Sequence, residues 1–460
     1  MAALGGSERK VHGFKSPVLS GSGLDWSPDG RSLLFVGRGS AEEPHGLRLL
    51  SLDTLDTREL TRPPAGHDGD YRPVFSPDGL TVAFMRAAQD VSDLHVVSVE
   101  GGEPTRLTFD GRRVEGLAWT PDGRRIVFDS NRSGADHALW IIPAEGGTPE
   151  PLGVENALDP SVSRGGNRLT FSQYALDTNI WRYDLTQGGA APAQLFPSTR
   201  RERGVHLSPD GARVAFASNR SGSYEVWTGG SDGSGLIQLT SLGGASASAP
   251  RWSPDGARVA FESQGAGGVS DIYVVGARGG APRRVTEGGR HNNVCPSWSV
   301  DGRFVYFGSD RGGAWQVWKA PADGGGEAVQ VTKGGGFEAQ ESYDGRELFY
   351  TKRDTLGLFR APAGGGEEAA LLDGASLSLW DGRGAWAVTG RGIYFVDVLD
   401  REGASVKLFD LSTGGLTRVL ALDRNPPGNP GLNVSPDGRW LILTRVDYTN
   451  HDIMLVENFL

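Results

Sequence analysis

Seven arginines recur at matching places along the chain: Arg38, Arg86, Arg132, Arg220, Arg311, Arg353 and Arg445, each just beyond a short apolar stretch. Other apolar stretches open on polar groups: Asp70, Tyr71, Arg72, Glu115, Asp159, Arg201, Glu202, Arg203, Arg251, His291, Asn292, Asn293 and Glu338. A guanidinium is a rigid fork of donors that suits carboxylates and never gives up its proton, so this is recognition chemistry. The candidate binding residues are Arg72, Glu115, Asp159, Arg203, His206, Arg251, His291, Asn293, Arg132, Arg220 and Arg311. Arginine and tyrosine are favoured where a peptide or protein docks. A hydrated rim whose arginines pair with neighbouring carboxylates accounts for the same residues.

Proton-transfer and nucleophilic chemistry find less support. Gly229-Gly230-Ser231-Asp232-Gly233 matches the nucleophile-elbow spacing, but that device needs a helix after the turn and a hairpin is expected here. The eight histidines form no His-x-x-x-His pair, and only His206 and His291 fall near the stretches that carry the polar groups. His206 with Asp159 and Glu202 is the one convergent cluster available to an enzyme reading. Cys295 is the single cysteine, which excludes an intramolecular disulfide and thiolate metal sites. Repeated aspartates lack the spacing of a calcium loop. No catalytic residue, metal site or cofactor is assigned.

These residues are positioned by a repeat. Ser-Pro-Asp-Gly, followed five residues after its Gly by an aromatic, occurs at Ser27–Gly30 with Phe35 and Ser76–Gly79 with Phe84. It returns at Ser208–Gly211 with Phe216 and Ser253–Gly256 with Phe261, and weaker copies sit at Gly123, Gly166, Gly302, Gly345, Gly390 and Gly438. From Gly30 to Gly438 is 408 residues in nine steps, a period of about 45. Each copy parses into four short strands, with Pro, Asp and Gly turning the first into the second. In the second strand, offsets three and five from the turn glycine are apolar (Val82 and Phe84, Val259 and Phe261), and so is offset four (Ala83, Ala260). A strand apolar on both faces must be buried on both. The sheets are therefore expected to stack, large side chains on one side and small on the other.

The fold class is all-β: a β-propeller of ten four-stranded antiparallel blades over residues 1–460, in one ring. The alternative is two smaller propellers, with a seam at 196–204 or 242–248. Residues 6–12 line up with the fourth strand Gly279–Val285 and are expected to complete the last blade. A net charge of −10 speaks against a general nucleic-acid partner. No run of about 18 apolar residues is present, so no membrane segment is expected. The N-terminus lacks an apolar signal core. At face value the compartment is the cytoplasm, or the periplasm if the chain is a piece of a longer protein; the sequence leaves oligomeric state open.

Trp252–Phe261, Asp271–Tyr273 and Gly279–Thr286 resemble the TolB-type propeller repeat W-S-P-D-G-x-x-I-A-F…D-I-Y…G-G-x-P-x-x-L-T. The repeats are also similar to propellers of dipeptidyl and acylaminoacyl peptidases and of tricorn proteases. Ser218–Trp227 and Leu455–Phe459 resemble the repeat regions of bacterial winged-helix regulators. The lack of a catalytic constellation and the polar, arginine-bearing face point to a non-catalytic scaffold that binds a protein or peptide partner at the loop rim around a central channel, as the sensor or interaction part of a TolB-like regulator would. Its alternatives are a substrate-gating accessory propeller of a serine peptidase and a carbohydrate-active propeller enzyme.

Overall fold

The computed structural model describes residues 10–13, 23–40, 43–64, 67–88, 91–110, 112–132, 137–186, 191–243, 245–265, 269–287, 289, 291–353, 355–373, 379–380, 383–398, 400, 402–424, 426 and 431–459. Among them every regular element is a strand. The strands form eight four-stranded sheets, one five-stranded sheet and the two-stranded ribbon Leu379–Trp380 with Arg383–Gly384. Within repeats the pairing is the expected meander: Ser246–Trp252, Arg258–Gln264, Ser270–Gly276 and Arg283–Arg284 lie side by side and antiparallel.

The turn works as its chemistry requires. Gly256 takes φ 67°, and Ser253 Oγ donates to Asp255 Oδ1 while accepting from the Arg258 backbone N–H. The same lock holds Ser76 with Asp78 and Ser208 with Asp210. The hydroxyl bond from serine holds the Asp78 and Asp210 carboxyls below the usual range. The closing Leu-Thr of the repeat has a second duty: Thr286 Oγ1 accepts from the Ile272 N–H and donates to Asp271, as Thr108 does with Leu94 and Asp93.

The chain divides into two compact units, Met1–Tyr174 with His451–Leu460, and Ala175–Gly265 with Val269–Asn450. The stretches 196–204 and 242–248 lie inside the second. In both units the core runs from repeat to repeat, and offset four sets the order. Leu34 packs with Val82 and Phe84, Ala83 with Ile126 and Phe128, and Val127 with Leu169 and Phe171. In the second unit Ala215 packs with Val259 and Phe261, Ala260 with Val305 and Phe307, and Tyr306 with Leu348 and Tyr350. Phe349 then meets Ile393 and Phe395, and Tyr394 meets Leu441 and Leu443. Ile442 of the tenth repeat packs with Val214 and Phe216 of the fifth. Each buried phenylalanine adds roughly 2–3 kcal/mol of apolar transfer to a junction.

That last contact sets the tenth repeat beside the fifth within the second unit. The inner strands of the second unit neighbour one another in the order Glu202–Leu207, Ser246–Trp252, Asn293–Trp298, Ala339–Glu341, Trp386–Thr389 and Leu432–Val434, and the last lies beside the first. In the first unit Leu24–Trp26 lies beside Gly69–Phe75, then Val114–Trp119, then Ala157–Val162. The reason lies in two long strands. The fourth repeat's second and third strands are one continuous strand, Arg168–Asp184, and those of the tenth are Trp440–Glu457. Neither segment contains a Gly or Pro to make a hairpin. The two pair in the five-stranded sheet, where Ala193–Leu195 supplies a further strand beside Arg168–Asp184. The terminal strand placed at 6–12 falls mostly outside the described residues; Lys10–Gly13 are described and carry no strand.

Candidate functional site

Four of the recurring arginines are held by their own repeats. Arg86 donates from two nitrogens to both oxygens of Asp70, at 2.7 and 2.9 Å, and Asp70 is fully buried. Arg220 reaches Glu202 Oε1 at 2.8 Å and Ser218 Oγ at 3.0 Å. Arg311 donates to Asn293 Oδ1 at 2.7 Å, and Arg132 pairs with Asp110 at 3.4 Å. Each guanidinium also lies against the offset-five aromatic and, where present, the tryptophan of the third strand. Arg132 is 4.8 Å from Phe128 and 5.3 Å from Trp140; Arg220 is 5.5 Å from Phe216 and 5.3 Å from Trp227. Arg311 is 5.3 Å from Phe307 and 4.9 Å from Trp318. An arginine in this position closes the end of its sheet by ion pair and cation–π contact together.

Between those ends the inner strands carry a feature the sequence reading missed. Opposite the offset-five aromatic five of these strands insert an extra residue, a β-bulge that bends the strand and re-aims its side chains. The register shifts between Tyr71 and Val74, Leu158 and Ser161, Arg203 and His206, Ser248 and Arg251, and Val294 and Ser297. The bulge residue is left-handed: Arg72 (φ 52°), Asp159 (50°), Gly204 (65°), Ala249 (48°) and Cys295 (53°). The signal was a proline. Pro73, Pro160, Pro250 and Pro296 each stand eleven residues before Phe84, Phe171, Phe261 and Phe307 (84−73, 171−160, 261−250, 307−296). Proline inside a strand is confined to edges and bulges.

Bulges of adjacent repeats touch. Buried carboxylates fasten them: Asp129 Oδ1 accepts from Gly116 N–H at 2.7 Å and Asp159 N–H at 3.2 Å, and Glu262 Oε2 accepts from Cys295 N–H at 2.7 Å. His137 Nδ1 lies 2.6 Å from Asp129 Oδ2.

The remaining candidates fall into two groups. In the first unit Arg72 and Asp159, both half-exposed, form an ion pair at 3.1 Å between alternate repeats, and Glu115 pairs with Arg113 at 3.5 Å. In the second unit Arg251 pairs with Glu338 at 3.1 Å, again between alternate repeats. Arg203 lies 3.6 Å over the Tyr224 ring. His206 Nδ1 accepts from the Trp252 backbone N–H at 3.3 Å. His291 is exposed, 3.9 Å from Asp310, and Asn293 is buried between Asp271 and Arg311. Ser231 sits in the hairpin after Glu225–Gly230, and a strand, Ile237–Gln238, follows it. Asp159 belongs to the first unit and His206 to the second.

Two buried histidines make stability depend on pH. Burial first, then the Arg251 charge, holds His206 well below the ordinary imidazole range. Burial holds His95 down to about 4, and its ring stacks on Phe84 at 5.5 Å. The unfolded chain takes up these protons below about pH 6.5, whereas folded His95 refuses its own until about pH 4. Stability should therefore fall as pH drops through that window, by about 3 kcal/mol for His95. Denaturant midpoints at pH 7 and 4.5 measure it. His95→Trp, which places there the residue of Trp140, Trp227 and Trp318, should flatten the first unit's slope; an unchanged slope would exclude this cause.

A Tricorn protease N-terminal beta propeller domain matches residues 47–193, and a TolB beta propeller domain matches residues 242–376. With the stacked four-stranded sheets, these matches define a β-propeller protein. The matched repeats are similar to those of the TolB and tricorn propellers. It is 27% identical to the uncharacterized protein Atu1656 of Agrobacterium fabrum over 31% of this chain and 52% of that protein. Dipeptidyl-peptidase 5 of Porphyromonas gingivalis is 25% identical over 38% of this chain and 28% of the relative. The TolB structure from Acinetobacter baumannii is 16% identical, covers 73% of this chain and 79% of its own, and has a TM-score of 0.31. The chain spans about half the length, or less, of the curated relatives it matches.

Proposed function

We propose that the chain is a non-catalytic propeller scaffold that binds a protein or peptide partner at the inner-strand face of the second unit. One observation carries this reading: the bulged inner strands place Arg203, His206 and the Arg251–Glu338 pair side by side. The partner is an extended segment whose carboxylate competes with Glu338 for Arg251 while its apolar side chains meet the Arg203–Tyr224 stack. On this reading the second unit is a six-bladed ring and the first a four-bladed array. Selecting displayed peptides on the full chain tests it. Recovered peptides should lose at least tenfold in affinity on Arg203→Ala and Arg251→Ala, each checked for native melting; retention of affinity on both would refute it.

A second reading is a substrate-gating accessory propeller of a serine peptidase. What favours it is the similarity to dipeptidyl-peptidase 5, of which this chain covers 28%. It requires a hydrolase domain on the same or a partner chain, and peptide turnover that appears only when the two are mixed would support it. The same binding role would suit the repeat region of a winged-helix regulator, which Ser218–Trp227 and Leu455–Phe459 resemble.

A further inference from the structure

One polar device joins neighbouring repeats. A residue after the third strand donates its backbone N–H to the residue following the turn glycine: Leu52 to Arg31, Val99 to Leu80, Ala144 to Arg124, Leu185 to Arg439, Ser231 to Ala212, Ala277 to Ala257, Ala322 to Arg303 and Ala363 to Arg346. In five of these eight the carbonyl of that residue accepts from a cationic side chain of the adjacent repeat. Val99 accepts from Arg58, Ser231 from Arg182 (2.6 Å) and Ala277 from Arg213 (3.2 Å). Ala322 accepts from Arg283 (2.7 Å) and Ala363 from Lys319 (3.2 Å). The cations come from three positions: two residues after the turn glycine (Arg213), next to the third-strand tryptophan (Arg182, Lys319), and the start of the fourth strand (Arg58, Arg283). Arg213 also lies 5.0 Å over Trp252, and Arg258 lies 4.8 Å over Trp298.

At the junction of the second and third repeats those three positions hold Thr81, Val96 and Thr105, none of them charged. Where the cation would lie there is a cavity of about 940 Å³, lined by all three and, across the gap, by Trp119 and Ala144. Trp119 stands four residues before its turn glycine, as Trp252 and Trp298 do (123−119, 256−252, 302−298). Asp78, Glu103 and Glu145 line the same cavity against one cation, Arg124.

We propose that this groove binds an arginine side chain presented by a partner peptide. Its guanidinium stacks on Trp119 and donates to the Ala144 carbonyl, as Arg213 does over Trp252 toward Ala277, with Glu103 and Glu145 balancing the charge. Arginine is the occupant because four of the five internal donors are arginines, and only a planar fork can stack and donate at once. The groove opens at the Pro-Asp-Gly turns, the opposite end of the second strand from the recurring arginines. It is independent of the reading proposed for the second unit.

Calorimetric titration of the full chain with acetyl-Gly-Arg-Gly-amide tests it, with acetyl-Gly-Gln-Gly-amide as control. One site per chain is expected, with the glutamine peptide at least tenfold weaker, and affinity reduced severalfold by Glu103→Gln with Glu145→Gln. Thr81→Arg supplies the missing guanidinium, so it should abolish binding while raising the melting midpoint. Thr105→Arg, which fills the groove from the position of Arg58 and Arg283, provides the same readout should the first variant fold poorly. Absence of binding to the wild-type chain, or full binding by a folded filled variant, would overturn the proposal.

Discussion

Arg220→Leu should destabilise the second unit by about 3–5 kcal/mol, the usual result of removing one partner of a buried pair. Glu202 has no exposure, and its Oε1 accepts from one cation, Arg220, and from the hydroxyls of Ser198 and Ser218. Without Arg220 the carboxylate must stay charged in apolar surroundings or take up a proton. Burial already pushes the Glu202 carboxyl up while Arg220 pulls it down, so the variant shifts the balance toward the neutral form. The loss should accordingly shrink at acidic pH, where the orphaned group protonates. Urea denaturation at pH 7.5 and 5 reads both effects. A rim arginine serving only a partner would instead leave the midpoint unchanged.

Gly431→Ala should be comparably costly, for a steric reason. Gly431 has φ 62°, and a Cβ there would stand 2.5 Å from Val205 N and 2.7 Å from Gly204 C, both backbone atoms of the neighbouring inner strand. Left-handed backbone alone costs a non-glycine residue about 1–2 kcal/mol. Neither backbone atom can swing aside like a side chain, so the total should reach about 3–5 kcal/mol, in the range that marks a specific structural break. Gly438→Ala is the control: it has φ 71° but nothing within 4 Å, so it should cost only the conformational part. Thermal melting of the two variants side by side checks the difference. Equal losses would mean that Leu432–Val434 does not lie against Glu202–Leu207.

How much was legible in the sequence follows from where the information sits. The strands, the turns and the two-faced burial of the second strand are local patterns, and Val259, Ala260 and Phe261 spell them out within three residues. The partner of each sheet is a long-range matter. Ile442 looks the same whether it packs on the first repeat or the fifth, and only the missing turn residues between Phe171 and Ile180 and between Leu443 and Ile453 mark the two continuous strands. The arginines were found by their spacing, but their direction was not. Arg132, Arg220 and Arg311 turn inward onto aromatics of their own sheets, and Arg72, Arg203 and Arg251 owe their placement to bulges. The prolines that announce those bulges were visible at a constant eleven residues from the aromatic, and that offset locates the inner-strand face.

The repeats spend their charges on one another. A double-mutant cycle on Asp70 and Arg86, using Asp70→Leu, Arg86→Leu and the pair, measures this directly. The fully buried carboxylate and its two-nitrogen partner should show a coupling of about 2 kcal/mol or more, with the double variant recovering most of the stability lost by Arg86→Leu. Strictly additive losses, with coupling near zero, would contradict it.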